Sequence, residues 1–526
     1  MTTWITATPP TPNGDLHVGH LAGPYLAGDV LRRFLGSEGL PVRYTTGLDD
    51  HQSYVPVRGL KDGGRKGEEV ADGYGETIVQ VWERAGITLD TIGRPRVDAG
   101  YVAYVQNFFR KLVDDGHIVP RVKPLPYCVP CDRWLYEAYV VGACPHCGAR
   151  SNGNACEPCG RPNFVGDLVD PRCVVCGDAA ELRDNERLFL PLEPFTDRLV
   201  EFWSTVDMPP RLRALCEKML DDGLPEIAVS HPSEWGIEVP VAEFADQRIY
   251  VWFEMGPGYL LEHDLGGGVP ESGPVQFFGI DNGYFHAVLF PASFLAYDAA
   301  VPLPRAFVVN EFYQLEGLKF STSRRHAIWG YEALDRVGAD VLRHHVLADR
   351  PNGRETSFSL DALARTADHV DRHWNGWLRR LFAEAAEEFG GVVPDVAPGG
   401  AAWELLRGRL TRTVVELREC YDLAGFDPRR AVALLDEVVA LAADFGHVHH
   451  HDRARSRGRD DYRAALAGQL AVAAGLAAWA APALPHGADR LAGLLGLPPG
   501  RAVSAEALAV PVGATLGALD GPVFGG

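Results

Sequence analysis

The chain has 526 residues, of which 46% are hydrophobic and 23% are charged, and its formal net charge at pH 7 is −20. This composition is typical of an ordinary soluble globular protein with room for about three or four structural units. The negative charge argues against a protein that coats nucleic acid with a generally cationic surface, although a local basic face could still hold an RNA.

Two segments bear on where the protein resides. No cationic and apolar signal peptide precedes Trp4, so export is not expected. The uncharged stretch from Ala464 to Pro485 is mostly alanine and contains Gln469. Because alanine contributes little to transfer into a bilayer, we interpret this stretch as a helix of a soluble bundle. We therefore expect a cytoplasmic protein that makes no contact with membranes.

The first element spans Trp4 to Phe34. An apolar, β-prone segment breaks at a proline-rich loop ending in Asn13-Gly14, and apolar residues at helical spacing follow His17-Val18-Gly19-His20. This pattern predicts a strand, a glycine-containing loop and a helix. Backbone N–H groups at the start of such a helix bind anionic oxygens, and two imidazoles there would add hydrogen bonds to a phosphate. The stretch indicates a nucleotide site, with ordinary helix capping as the alternative role of the histidines.

A second strand is predicted from Val42 to Thr46, and the acidic segment Gly47-Leu48-Asp49-Asp50-His51-Gln52 follows it. In parallel α/β sheets, functional groups gather beyond the carboxyl ends of the strands, and this segment lies at such a position. A carboxylate such as that of Asp49 is suited to an ammonium group. The alternative is a solvated turn.

Eight of the ten cysteines lie between residues 128 and 176 as four C-x2-C pairs. In a chain with no export signal, this spacing indicates thiolate sites for zinc rather than disulfides. Sites in which thiolates fill all four tetrahedral positions are structural, so the metal is expected to stabilise a loop-rich insertion and not to take part in chemistry. Cys216 and Cys420 stand apart and are predicted to be core residues.

Further elements follow along the chain. The sheet pattern returns at Arg248, and a strand from Gln276 to Ile280 leads into Gly279-Ile280-Asp281-Asn282-Gly283-Tyr284-Phe285-His286. A lysine-bearing loop runs from Glu316 to Arg324. From Asp361 onward, apolar residues at helical spacing predict a bundle of antiparallel helices.

In this order the motifs resemble the signatures of class I aminoacyl-tRNA synthetases, and specifically of their methionyl branch. The paired histidines resemble the HIGH signature, the segment around Asp281 resembles G-K-D-x-x-x-F-H, and the lysine-bearing loop resembles the mobile KMSKS loop. The cysteine-rich insert resembles the connective-peptide domain of two-zinc methionyl enzymes. The resemblance covers nearly the whole chain. It implies an α/β fold in which a Rossmann-type parallel sheet is split by a zinc-knuckle insertion and followed by an α-helical bundle.

The resemblance also implies a division of the chain. The first half of the Rossmann catalytic domain is expected at residues 1–115 and its second half at residues 246–300. Residues 116–245 would form the connective-peptide insertion, and residues 301–360 the KMSKS-type loop and stem-contact region. Residues 361–526 would form a helical bundle that resembles an anticodon-binding domain.

Roles for individual residues follow from the resemblance. The expected catalytic residues are His17, His20, Lys319 and Ser323. The residues expected to contact ATP are Asn13, Gly14, Gly19, Gly279 and Asp281. The residues expected to contact the amino acid, with Asp49 on its α-amino group, are Pro9, Thr11, Asp49, Trp252, Tyr259, Phe285 and His286. Taken singly, each of these aromatic residues has core packing as its alternative role.

The metal ligands implied by the resemblance form two nested sets. The inner set is Cys144, Cys147, Cys156 and Cys159. The outer set is Cys128, Cys131, Cys173 and Cys176. The cofactors implied are ATP, Mg²⁺ and two structural Zn²⁺ ions.

The amino-acid pocket departs from the methionyl pattern. Pro9 and Thr11 stand where the family has leucine and tyrosine, which touch the substrate or close over it. Met255 and Gly256 replace the usual alanine and proline. Specificity for the amino-acid side chain is therefore not transferred from the family.

The lysine loop and the helical region depart as well. Thr322 replaces the second lysine of the loop, and Arg324 or Arg325 could compensate for it. Trp374 stands at the position of an asparagine that reads the anticodon, and the downstream Pro-Trp pair of the family is absent. An exposed Trp374 would offer a surface for base stacking, but specific anticodon reading is not supported. We interpret the cluster from His447 to His451 as a solvated loop, with metal binding as the alternative.

These departures favour ATP-dependent activation of an amino acid to an aminoacyl adenylate, followed by transfer to a small nucleophile such as an N-hydroxylated amino acid. The sequence also resembles the synthetase-like components of hydrazine-forming systems, which implies a cupin partner; no cupin-like metal pattern occurs here, so that partner would be a separate chain. The alternative is a genuine, divergent methionyl-tRNA synthetase that charges tRNA(Met), so the role of tRNA stays open. A third interpretation, a catalytically inactive binding protein, rests only on Thr322.

Overall fold

The computed structural model describes residues 2–153, 155–156, 158–264, 272–320, 327–451 and 458–525, without the side chains of residues 263, 264 and 319. The strands are β1 Thr3–Ala7, β2 Val42–Gly47, β3 Thr91–Gly93, β4 Val119–Cys128, β5 Arg133–Trp134, β6 Val140–Ala143, β7 Arg150–Ser151, β8 Val169–Cys173, β9 Glu181–Pro191, β10 Glu226–Ala228, β11 Ser230–Pro232, β12 Gln247–Ile249, β13 Val275–Gly279, β14 Ala306–Asn310, β15 Tyr313–Leu315, β16 Leu318–Lys319 and β17 Thr356–Phe358. The helices are α1 Val18–His20, α2 Leu26–Ser37, α3 Tyr54–Lys61, α4 Gly67–Arg84, α5 Tyr101–Asp114, α6 Thr196–Thr205, α7 Pro210–Asp222, α8 Val251–Asp264, α9 Phe290–Tyr297, α10 Gly330–Val337, α11 Ala339–Ala348, α12 Leu360–His369, α13 Gly376–Phe389, α14 Ala401–Tyr421, α15 Pro428–His450, α16 Arg459–Trp479 and α17 Pro485–Leu494.

The central sheet has the strand order β14-β13-β1-β2-β3, and every neighbouring pair is parallel. Strand β1 has four buried residues in succession, as expected for a parallel strand that is covered on both faces. The chain leaves β1 first towards β2 and β3 and only later adds β13 and β14 on the other side. This order places a crevice beyond the carboxyl ends of β1 and β13, where open α/β sheets bind their ligands. The predicted fold class is confirmed.

A proline pair and a distorted helical turn follow β1. Pro9 and Pro10 cannot donate backbone hydrogen bonds, so the strand ends before them. After α1, one π-helical turn, Leu21–Tyr25, contains Pro24 and the non-helical backbone of Gly23. A Cβ atom at Gly23 would lie 3.2 Å from the side-chain oxygen of Asn310 at the end of β14. The irregular turn therefore lets the helix approach the sheet closely.

The described part of the segment between the two halves of the sheet forms three antiparallel sheets, with strand orders β10-β9-β4-β5, β7-β6-β8 and β11-β12. The long strands β4 and β9 pair from Val119 with Phe189 to Tyr127 with Glu181. The cysteine-rich loops lie around these sheets. This part of the chain is the insertion that the sequence predicts.

Helices α12 to α17 form the helical region, and two sequence-based interpretations of it are wrong. Trp374 is fully buried, and its indole N–H donates to Asp436 Oδ1 at 2.8 Å, so it offers no surface for base stacking. Residues 447–450 form the end of α15 instead of a loop. Among the described residues, no helix is both long enough and apolar enough to span a membrane.

Candidate active site

The paired histidines lie at the start of α1, beyond the carboxyl end of β1. The imidazole rings of His17 and His20 stack with centroids 3.7 Å apart, and Phe320 stacks on His17 at 4.6 Å. Backbone hydrogen bonds join this turn to the segment after the lysine loop, since Gly330 N–H donates to Leu16 O at 2.7 Å. The histidine turn and both flanks of the lysine loop are thus brought together, although they are far apart in the sequence.

The protonation of His20 follows from its surroundings. Burial lowers the pKa of His20 to about 4, so the ring is neutral at pH 7. The backbone N–H of His17 donates to His20 Nδ1 at 3.2 Å, which assigns the remaining proton of the ring to Nε2. The neutral ring can therefore donate one hydrogen bond to an oxygen that gains negative charge.

Asp49 lies after β2 and is nearly buried, with 5% of its surface exposed. Its Oδ2 accepts hydrogen bonds from Thr11 Oγ1 at 3.0 Å and from Gln52 Nε2 at 3.3 Å. Its Oδ1 has no hydrogen-bond partner among the described residues. Burial raises the pKa of Asp49 to about 7, and the neighbouring Glu254 adds to the increase. A buried carboxyl group with one free oxygen is an acceptor for a cationic ligand group.

Asp49 faces a cavity with an empty volume of about 300 Å³. Two further carboxyl groups line it: Glu254, whose Oε1 lies 2.8 Å from His51 Nδ1, and Glu262. Glu262 is 6% exposed, its Oε2 has no hydrogen-bond partner in the described part of the chain, and burial raises its pKa well above the ordinary value. The cavity is therefore acidic on several sides. Its other lining residues are Pro9, Leu48, Pro95, Tyr101, Val251, Met255, Gly258 and Tyr259.

The aromatic residues expected around the amino acid take different positions. Tyr259 lines the cavity beside Asp49. Trp252 and Phe285 stack on each other at 3.8 Å, and Phe285 lines a second, separate cavity. His286 is held in the core, with its Nε2 3.0 Å from Thr8 Oγ1 and its Nδ1 3.0 Å from Gln276 Oε1. The structure thus brings Pro9, Thr11, Asp49 and Tyr259 together, whereas His286 lies in the core and does not line the cavity.

The residues expected at the ribose lie after β13. Gly279 ends the strand, and a Cβ atom there would lie 2.6 Å from Asp281 Oδ1, which explains why a residue without a side chain stands at this position. Asn13 and Gly14 lie in the loop after β1, where Asn13 N–H donates to Thr11 O at 2.8 Å. The candidate ATP residues are therefore distributed over the carboxyl ends of the two central strands.

The lysine loop is described only at its two ends. Lys319 ends β16, where its backbone pairs with Gln314, and its side chain lies outside the description. Ser323, Thr322, Arg324 and Arg325 also lie outside the described residues.

Eight cysteines form two groups of four, which are the inner and outer sets implied by the family resemblance. In each group the sulfur atoms lie within 4.8 Å of one another, and the closest pairs lie 3.4–4.0 Å apart. A tetrahedral ion with Zn–S bonds of about 2.3 Å requires sulfur atoms about 3.8 Å apart. All eight are free thiols, so the donor sets fit two zinc ions. Cys216 and Cys420 are buried elsewhere, as predicted.

Each turn that carries a cysteine pair needs a residue in the left-handed backbone region directly after its second cysteine. In three knuckles the residue after the second cysteine is a glycine with positive φ: Gly148, Gly160 and Gly177. In the remaining knuckle, Asp132 adopts the same left-handed region with φ of 49°. Glycine adopts this conformation without steric cost, which explains the C-x2-C-G pattern in the sequence.

The family model described as "tRNA synthetases class I (M)" matches residues 3–372. The chain belongs to the class I aminoacyl-tRNA synthetase family. Among curated relatives of this synthetase-family chain, the methionine–tRNA ligase of Pyrococcus abyssi is 33% identical over 418 residues, which cover 74% of this chain and 58% of that protein. The methionine–tRNA ligase of Thermomicrobium roseum is 31% identical over 507 residues, which cover 93% of this chain and 85% of that protein. The chain thus spans about 58% of the length of the first curated relatives it matches.

A solved structure supports the same fold for this synthetase-family chain. The structure of Mycobacterium tuberculosis methionyl-tRNA synthetase bound by methionyl-adenylate has a TM-score of 0.80, covers 100% of both chains and is 21% identical in sequence. At this identity the likeness establishes the fold alone.

Sequence reasoning missed several residues of the site. Thr8, Glu254 and Glu262 carry polar groups at or beside the cavity, yet none of them was among the expected site residues. Thr8 follows β1 directly, so its position beyond a central strand was a usable signal. Glu262 lies in α8 with no signal in its neighbouring residues, since only the packing of α8 against β2 and β3 brings it to the cavity.

Proposed function

We propose that the protein forms an aminoacyl adenylate from ATP and an amino acid and transfers the aminoacyl group to tRNA, with methionine as the first candidate substrate. The observation that carries the activation step is the buried Asp49 carboxyl group, which lines a cavity and has one oxygen without a hydrogen-bond partner among the described residues. Membership of the family supports ATP use. The similarity to methionine–tRNA ligases supports methionine and tRNA.

In the proposed reaction, Asp49 holds the α-ammonium group of the amino acid and so fixes the position of its carboxylate. One carboxylate oxygen forms a bond to the α-phosphorus of ATP, and the bond from this phosphorus to the bridging oxygen breaks, so that pyrophosphate leaves with the electron pair. His20 donates from Nε2 to a phosphate oxygen as negative charge develops, with its donor already oriented by the His17 backbone. Mg²⁺ is proposed to enter with ATP as the counter-ion of the triphosphate.

We also propose that the two groups of cysteines hold structural zinc, in one insertion between residues 116 and 245. Bound zinc would cross-link loops that have little core of their own. Metal analysis of the purified protein should find two zinc ions per chain. Replacing Cys156 and Cys159 together by serine should reduce this to one, whereas Cys216→Ser, outside both groups, should keep both ions. Full zinc content in the double variant would contradict the assignment.

A second candidate function keeps the activation step but replaces tRNA by a small nucleophile such as an N-hydroxylated amino acid, as in hydrazine-forming systems. One observation favours it: Trp374, at the position of an anticodon-reading residue in the family, is buried and hydrogen-bonded to Asp436. The relatives support the tRNA-dependent function better, so it comes first. A separate cupin partner stays a prediction of the second candidate.

Exchange of pyrophosphate into ATP, measured with each amino acid in turn, tests the activation step. We expect methionine to give the highest rate, and absence of exchange with every amino acid would overturn the proposal. Transfer of the activated group to initiator tRNA then separates the two candidates. Robust charging supports the first, whereas exchange without charging, together with release of AMP in the presence of hydroxylamine, supports the second.

A further inference from the structure

A second cavity, with an empty volume of about 570 Å³, lies between the insertion and the catalytic sheet. It shares no lining residue with the cavity at Asp49. Its wall towards the catalytic core includes Tyr250, Tyr284 and Phe285, and Phe285 stacks on Trp252. The two cavities lie close together, since the consecutive residues Tyr250 and Val251 line one cavity each.

Arg187 on β9 lines this cavity and has no exposed surface. All three of its guanidinium nitrogens lack a hydrogen-bond partner within the described part of the chain. Burial lowers the pKa of Arg187 to about 10, so the group is still cationic at pH 7. Its closest ring neighbours are Phe164 and Phe189, with centroids 5.5 and 5.3 Å from the guanidinium carbon.

A buried cation without an anionic partner is costly. A buried charge left without its ionic partner destabilises the folded protein, and two ring contacts offset only part of that cost. The arrangement around Arg187 is the one expected when a bound anion completes the site. Arg187 is the one arginine or lysine among the described residues that line the cavity.

A carboxyl group and an imidazole also line the cavity. The carboxyl group of Glu137 is buried, and its Oε2 accepts a hydrogen bond from Ser53 Oγ at 2.9 Å. His231 stacks on Tyr136 at 4.8 Å, and its Nδ1 has no hydrogen-bond partner among the described residues. The cavity therefore combines a cation for an anionic group with a carboxyl group and an imidazole nitrogen for a second polar group.

We propose that this cavity binds a second small molecule that carries a carboxylate and an amine, with the carboxylate on Arg187 and the amine on Glu137. A carboxylate matches the planar fork of one guanidinium and neutralises its single charge. A doubly charged phosphate would carry more negative charge than the single guanidinium neutralises, and the excess would be buried. The proposal goes beyond the activation reaction, because it concerns a different ligand and stands whether tRNA or another acceptor takes the aminoacyl group.

Binding can be measured with 6-aminohexanoate as the probe, in the full chain without ATP or other amino acids. We expect 6-aminohexanoate to raise the melting temperature, hexanoate to raise it less, and hexylamine and inorganic phosphate at equal ionic strength to leave it unchanged. Glu137→Gln should weaken the response to 6-aminohexanoate without changing the response to hexanoate. A shift with phosphate but not with either carboxylate would overturn the proposal in favour of a phosphate-bearing ligand.

Arg187→Met should lower the affinity for 6-aminohexanoate by about 10- to 100-fold, which is the loss expected when hydrogen bonds to a charged group are removed. It should also raise the melting temperature of the unliganded protein, because it removes a buried unpaired charge.

Arg350→Met is the matched control, since Arg350 is equally buried and its guanidinium nitrogens lack hydrogen-bond partners among the described residues, but it does not line this cavity. If Arg187→Met does not fold, Arg187→Lys, which keeps the charge but loses the fork, should still weaken the probe. An unchanged response in a folded Arg187 variant, or an equal loss in Arg350→Met, would overturn the proposal. The binding experiment contains neither ATP nor the amino acid that is activated. A negative binding result is therefore distinguishable from a failure of pyrophosphate exchange.

Discussion

Replacing Asp49 by asparagine should lower kcat/KM for the amino acid in pyrophosphate exchange by about 30- to 1,000-fold, equivalent to about 2–4 kcal/mol. The reason is that the amide removes the charge proposed to hold the α-ammonium group, in a site where Thr11 and Gln52 already fix the other oxygen. KM for ATP should change much less. Steady-state exchange with both substrates varied separately measures the two effects.

The same carboxyl group predicts a pH dependence. Because the pKa of Asp49 in the empty site is about 7, the carboxyl group is protonated at lower pH and binds an ammonium poorly. The KM for the amino acid should therefore rise as the pH falls below about 7, and Asp49→Asn should remove this dependence. Asp50→Asn is the control: Asp50 is also buried but does not line the cavity, so its variant should keep a pH-dependent KM. The rise in KM should only move to lower pH, because the charge of Asp50 contributes to the raised pKa of Asp49. An unchanged kcat/KM in Asp49→Asn would contradict the role assigned to it.

The central sheet and the cysteine-rich insertion could be predicted from the sequence because local patterns encode them. Strand β1 is short and apolar and is stopped by prolines, and the four cysteine pairs carry the glycines that their turns require. The class I family followed from the order of these motifs and is confirmed. Such features depend on neighbours within a few residues, which is the range over which sequence patterns are informative.

The burial of single polar and aromatic side chains could not be predicted in this way. Trp374 is buried because Phe524 and Asp436, far away in the sequence, pack against it. Arg187 looks like one more charged residue of a polar strand, and only the distant segments around Glu137, His231 and Phe285 enclose it. These environments are created by tertiary packing, so residue type and spacing do not reveal them.

Arg343 supplies the second large effect that we expect, this time on stability. Its guanidinium is 1% exposed and donates to Asp29 Oδ2 at 2.7 Å, to Ala483 O at 2.6 Å and to Ala85 O at 3.1 Å. One side chain of α11 thus joins helix α2 of the catalytic core to the segment after α16. Arg343→Met should lower the free energy of unfolding by about 3–5 kcal/mol, because Asp29 and several backbone carbonyl groups lose a buried partner.

Arg33→Met provides the matched comparison, because Arg33 also donates to Asp29 Oδ2, at 2.8 Å, but is 22% exposed. Solvent screens this pair, so its loss should cost only about 1 kcal/mol or less. Urea unfolding followed by tryptophan fluorescence measures both variants against the unmodified protein. Equal costs in the two variants would show that burial does not decide the strength of the Asp29 contacts.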